Sequence, residues 1–211
     1  GNFFKKIFPQ KTAYFLTRWK NILMGNYFYK RCVNNPEKVK DHKILDAITE
    51  SVIKGTPRAE SQAIRARVPH VFWSFQNTWK EVFIEGKVDH NLKELCRVYV
   101  SKSVQCKYCG NQRSSKSVDD GLIEDDYKDL LNFEKSEKYD KPTKAALALS
   151  QAIIWDLETD DDFWNRLYKF FSEEEIIELG YFVGFTMGQQ RFNRILNLDE
   201  HLGNTGFENM I

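Results

Sequence analysis

From residue 10 almost to residue 198, apolar side chains recur at helical spacing between capping and breaking residues, and that pattern directs a chain of this kind to an all-α fold. Phe15, Leu16, Trp19, Leu23 and Tyr27 give residues 10–31 one broad apolar face. Asn35 and Pro36 read as an N-cap followed by proline at the first helical position, opening a helix that carries Val39, Ile44, Leu45, Ile48 and Val52 and ends at Gly55. Thr56 and Pro57 repeat that start signal. Val68-Pro69 breaks the helix, and Phe72, Phe75, Trp79 and Phe83 then share one side of a helix over 71–85. Asp89 predicts the cap of a helix to about Ser103, although Val98 and Val100 make the local propensity ambiguous. Further helices are expected over Cys106 to about Val118, 124–134, 141–156 and Asp160–Phe171. Ser172 and Glu175 form a capping box for a last helix from 173 to about 197, and the tail from Asp199 onward reads as irregular.

A chain of 211 residues suits one large domain or a domain with an appendage. The punctuation at 55–57 and 69 divides it into an N-terminal helical extension over 1–67, a core over 68–198 and a tail over 199–211. With 31 basic against 30 acidic side chains, nothing in the net charge calls for nucleic acid or an anionic membrane as partner. No apolar run reaches the ~20 residues of a membrane span; residues 176–188 are short and interrupted by Glu178. The start, GNFFKKIFPQ, has no sustained apolar stretch of the signal-peptide kind. The expectation is a soluble, cytoplasmic protein.

Cysteines stand at 32, 96, 106 and 109. In VQCKYCGNQRS, Cys106 and Cys109 are three apart and share a helix face, with Arg113 one turn beyond. A helix start and a guanidinium both favour thiolate, the reactive form of cysteine. The residues alone leave three readings: a redox pair, a metal clamp, or ordinary helix packing. Zinc would need further ligands, and the nearest, Cys96 and His90, supply no second knuckle.

The stretch LKELCRVYVSKSVQCKYCGNQR resembles the core motif of the AhpD-like, carboxymuconolactone decarboxylase superfamily, whose redox members place a glutamate twelve residues before a C-x-x-C pair and a histidine four residues after it. Glu94 stands at the glutamate position, Cys106 and Cys109 at the cysteines, and Arg113 where the histidine would be. The flanks, PHVFWSFQNTWKEVFIEGKVD upstream and DGLIEDDYKDL, KAALALSQAI and FSEEEIIELGYFVGFTMGQQRFNRIL downstream, extend the likeness over roughly residues 68–198. The resemblance implies an AhpD-like helical domain forming a homo-oligomer (dimer, trimer or hexamer). It also implies an antioxidant peroxidase or thiol–disulfide oxidoreductase of the alkylhydroperoxidase type, needing no bound cofactor. Cys109 would attack a small peroxide, Cys106 would resolve the sulfenic acid to a disulfide, and an external dithiol would reopen it. Glu94 would start a proton relay. Arg113 cannot act as an imidazole base, but it can favour the Cys109 thiolate or bind Glu94 or an anionic substrate. A helical scaffold or small-molecule-binding member of the same fold is the alternative.

The remaining residues read as structural. His42, His70, His90 and His201 are scattered and expected at the surface or at caps, with His70 beside the aromatic run. Cys32 and Cys96 read as inert buried thiols. The stripe Phe72, Trp73, Phe75, Trp79 and Phe83 reads as core or subunit interface, and Gly184 with Gly188 as a site of close helix approach. Asp160–Asp162 reads as a helix start, and the basic residues from Lys5 to Lys20 as a solvated face.

Overall fold

Every regular element in residues 41–198, the part of the chain that the computed structural model describes, is helical. The expected helix over 10–31, the Asn35-Pro36 start, Cys32, His201 and the tail lie outside the described residues. The first described helix, α1 (His42–Ile53), is capped by Asp41, whose carboxylate accepts from the Lys43 N–H. Gly55 follows at a φ of 72°, where an added Cβ would also press on the Arg113 carbonyl. The Thr56-Pro57 peptide is cis, and α2 (Ala59–Arg65) begins two residues after the proline. Pro69 opens α3 (Pro69–Thr78), which passes into π-helical turns over Trp79–Ile84.

Next comes α4 (His90–Ser103), with the Asp89 side chain accepting from the Leu92 N–H as its cap. It packs against α7 (Lys141–Trp155) and α9 (Glu173–Ile195), which also pack on each other. Every residue of α4 from Leu92 to Ser101 is buried. This resolves the ambiguity at Val98 and Val100, since a helix buried on all sides reads apolar or paired all round. The expected helix over Cys106–Val118 is instead two short pieces, α5 (Lys107–Gly110) and α6 (Ser115–Asp119). Side-chain guanidinium donors take the intervening carbonyls of Cys109, Gly110 and Gln112, so the backbone need not continue as a helix. The helix expected over 124–134 is likewise replaced by 3-10 turns at Glu124–Tyr127 and Leu130–Asn132.

The C-terminal part follows the sequence closely. Asp140 caps α7, Asp160 caps α8 (Asp161–Tyr168), and Ser172 and Glu175 form the capping box of α9. Phe75, Trp79 and Phe83 cluster with Phe182 of α9, while Phe72 packs with Ile44 and Ala66, so the aromatic stripe is core. Among the described residues Gly184 and Gly188 are not points of close approach: an added Cβ would meet none of them within 4 Å. Ile64 of α2 belongs to the same large core as α4, α7 and α9.

Lys93 ties α4 to α9 and to the π-helical turns. Its almost fully buried ammonium donates to Glu178 at 2.8 Å and to the Val82 carbonyl at 2.5 Å. Glu178 also accepts the backbone N–H groups of Lys87 and Val88. Gly86 lies against this cluster, where a Cβ would come within 2.5 Å of the Val82 carbonyl and press on Glu178 and Lys93. Gly86→Ala is therefore expected to destabilise the fold by about 1–3 kcal/mol, measured as a lower midpoint in urea unfolding.

Candidate functional site

The C-x-x-C segment follows the buried end of α4. Gln105 takes a φ of 58°, the Cys106 N–H donates to the Ser101 carbonyl at 2.9 Å, and Cys106 becomes the N-cap of α5. Cys106 and Cys109 are joined as a disulfide, and both are almost fully buried. The Cys109 N–H points at the Cys106 sulfur at 3.3 Å, and the Asn193 side-chain amide on α9 lies 3.8 Å from the Cys109 sulfur.

Behind the pair sits a charged network with essentially no solvent contact. Glu94 and Arg97, three apart on α4, form a two-pronged ion pair at 2.6 and 2.8 Å. The remaining Arg97 donors reach the carbonyls of Cys109 (2.9 Å) and Gln112 (2.7 Å). Glu94 also accepts the Ser114 N–H at 3.1 Å. His90, one turn before Glu94, is buried rather than at the surface, bridging the Phe83 carbonyl (2.9 Å) and the Ser114 hydroxyl (2.8 Å). Burial is the main cause that holds its pKa below the ordinary 6.5.

The structure brings Glu94, Cys106 and Cys109 into one network and sets the Arg113 guanidinium on the outer side of the same turn. The Arg113 guanidinium forms a two-pronged pair with Glu124 (2.7 and 3.0 Å), donates to the carbonyls of Gly110 and Gln112, and lies over the Tyr127 ring. Its donors go neither to the Cys109 sulfur nor to Glu94. The residue that pairs with Glu94 is Arg97, whose i,i+3 spacing from the glutamate was the available sequence signal.

Residues 56–65 close the other side. Gln112 accepts from the Thr56 hydroxyl and the Arg58 N–H, both at 3.1 Å, and donates to the Tyr108 carbonyl. The Tyr108 hydroxyl donates to Glu60 (3.0 Å) and accepts from the Ser61 N–H (3.2 Å); burial, and then the Glu60 charge, push its pKa up. Cys96, by contrast, is a buried free thiol whose pKa burial raises to about 11. His42 and His70 are exposed. Among the described residues no three His, Cys, Asp or Glu side chains are grouped as a metal site.

The disulfide divides two cavities. Cys109 lines a small one, about 30 Å³, together with Arg65, Trp79, Gln190 and Asn193. Cys106 lines a larger one, about 400 Å³, with Lys107, Asn193 and Arg194.

No protein-family model matches the chain, and no curated protein matches it. Among solved structures, the described fold is similar to the debrominase Bmp8. A cysteine-to-alanine variant of Bmp8 in complex with 2,3,4-tribromopyrrole matches with a TM-score of 0.63 and 17% identity, over 74% of this chain and 83% of that one. Apo Bmp8 gives the same score and identity, over 74% and 84%. The likeness is one of fold, and it agrees with the all-α architecture expected from the helical periodicity.

Two outcomes follow from the buried network. Arg97→Leu strands the Glu94 charge and removes the Arg97 donors from the Cys109 and Gln112 carbonyls, for an expected loss of about 3–5 kcal/mol in urea unfolding. His90 is neutral in the folded chain at pH values where the unfolded chain already binds a proton. Its contribution is therefore complete above the ordinary 6.5 and falls as pH drops from there toward the lower folded value. Unfolding of His90→Gln across that window should show a flatter pH dependence than wild type.

Proposed function

We propose that the chain is a thiol-dependent oxidoreductase of the alkylhydroperoxidase type that reduces small peroxides through Cys109 and Cys106. The observation that carries this reading is the disulfide set as a partition, with Cys109 on the small cavity and Cys106 on the large one. In the reduced protein, the Cys109 sulfur attacks the distal oxygen of the peroxide. The O–O bond breaks, the departing oxygen takes the thiol proton, and Cys109 becomes a sulfenic acid. Cys106 then displaces water to form the disulfide. An external dithiol enters from the larger cavity, attacks Cys106 and expels Cys109 as thiolate. The second thiol of the reductant then releases Cys106.

In this reading Glu94 is a positioning residue that acts through Arg97 on the Cys109 and Gln112 carbonyls. Arg113 holds the outer side of the same turn. Burial of the pair and the Asn193 amide beside Cys109 support a protected, activated sulfur. A homo-oligomer is part of the proposal: Ile177, Tyr181, Phe192 and Ile195 leave an apolar stripe exposed along α9.

The similarity to Bmp8 favours a second reading, reductive debromination by the same pair. Two thiols would supply two electrons, a proton would replace bromine on carbon, and bromide would leave as the disulfide closes. The two readings diverge in one assay series with a dithiol reductant. The peroxidase reading expects peroxide consumption that Cys109→Ser abolishes and that Cys106→Ser stalls after one oxidation, with sulfenic acid trapped and detected by mass spectrometry. Equal consumption by wild type and the double serine variant overturns it and leaves a scaffold. Cysteine-dependent bromide release from a bromopyrrole, without peroxide turnover, supports the second.

A further inference from the structure

The small cavity beside Cys109 holds a positive charge that no carboxylate among the described residues compensates. Arg65 is buried, 7% exposed, and its neighbours are neutral: it donates to Gln62 (3.0 Å) and Gln189 (3.0 and 3.2 Å) and lies 3.7 Å over the Phe75 ring. Those bonds use three of the five donors that a guanidinium carries. No Asp or Glu lines the cavity, and no carboxylate among the described residues pairs with Arg65. Burial lowers its pKa to about 10, so it stays charged at neutral pH. The other arginine on the cavity, Arg97, is already neutralised by Glu94.

Two further residues lining this cavity each carry a buried polar atom with no partner among the described residues. The Trp79 indole N–H is a buried donor, and the Gln190 side-chain oxygen is a buried acceptor. Buried polar groups are normally satisfied, so a cation, a donor and an acceptor left over around one space call for an occupant. At about 30 Å³ the space takes about two water-sized groups. It shares Thr56, Pro57 and Trp79 with a neighbouring cavity of about 270 Å³, which reaches Trp73 and Ile84.

We infer that this cavity is a subsite for a small oxyanion, a carboxylate held by Arg65 and the Trp79 N–H next to the reacting sulfur. The inference deepens the peroxidase reading and rests on it for the reaction. The preferred substrate class is then peroxycarboxylic acids, with the carbon body in the adjoining cavity. The Cys109 thiolate takes the distal OH of the peroxyacid, the O–O bond breaks, and the electron pair stays on the carboxylate that Arg65 holds. Sulfur is oxidised to sulfenic acid, and the peroxide oxygens are reduced.

Binding can be tested without turnover. The oxidised full chain is titrated with sodium formate while the ¹H–¹⁵N indole signal of Trp79, assigned with Trp79→Phe, is followed by NMR. The expected result is a saturable shift with formate that neither formamide nor sodium chloride at equal ionic strength produces, and that Arg65→Gln removes. Arg65→Lys, which keeps the charge, retains part of it and decides the matter if Arg65→Gln does not fold. No saturable shift in wild type, or an equal one with chloride, overturns the subsite. In kinetics, Arg65→Gln should raise KM for peroxyacetic acid by about tenfold or more relative to its effect on tert-butyl hydroperoxide. Formate binding without consumption of either peroxide keeps the subsite and removes the peroxidase reading. Consumption of both without formate binding or Arg65 dependence does the reverse.

Discussion

The arrangement around the cysteines depends on one buried ion pair. Glu94 and Arg97 lie a helical turn apart on α4, and both side chains are almost completely shut off from water. A guanidinium there must find acceptors for its remaining donors, and it finds the carbonyls of Cys109 and Gln112. Those bonds draw the chain after α4 back over the helix and stop α5 after one turn. The local geometry of the disulfide is thus a consequence of neutralising a charge pair twelve residues earlier in sequence.

The same turn also collects residues 56–61. Gln112 is held from one side by Thr56 and Arg58, and Tyr108 by Glu60 and Ser61. The N-terminal side of the described chain therefore helps to build the cavity that meets Cys109. The two faces of the disulfide differ in kind: one meets a small polar space between α2, α3 and α9, and the other a wider space rimmed by Lys107 and Arg194.

Much of the fold was legible because helix signals are local. Asp89, Asp160 and the Ser172–Glu175 box cap the helices they announce, and the aromatic spacing after Pro69 marks core. The segment after Cys106 misled because its carbonyls bond to the side chains of Arg97 and Arg113, and helical periodicity carries no information about such partners. Glu94 and the cysteines were visible through their spacing. Arg113 drew attention by its position, yet the arginine that faces the site is Arg97, and the buried roles of His90 and Arg65 depend on packing that no local pattern announces. Gly184 and Gly188 show the opposite failure, a familiar spacing against which no described residue packs closely.

The two arginines that grip the C-x-x-C turn differ in their exposure to ions. The Glu94–Arg97 pair lies out of reach of solvent, whereas Glu124, the partner of Arg113, has a side chain 72% exposed. Dissolved salt screens the second pair and hardly touches the first. Ionic strength therefore acts on the turn from its outer side alone, loosening the link to Glu124 while the inner grip on the Cys109 carbonyl persists.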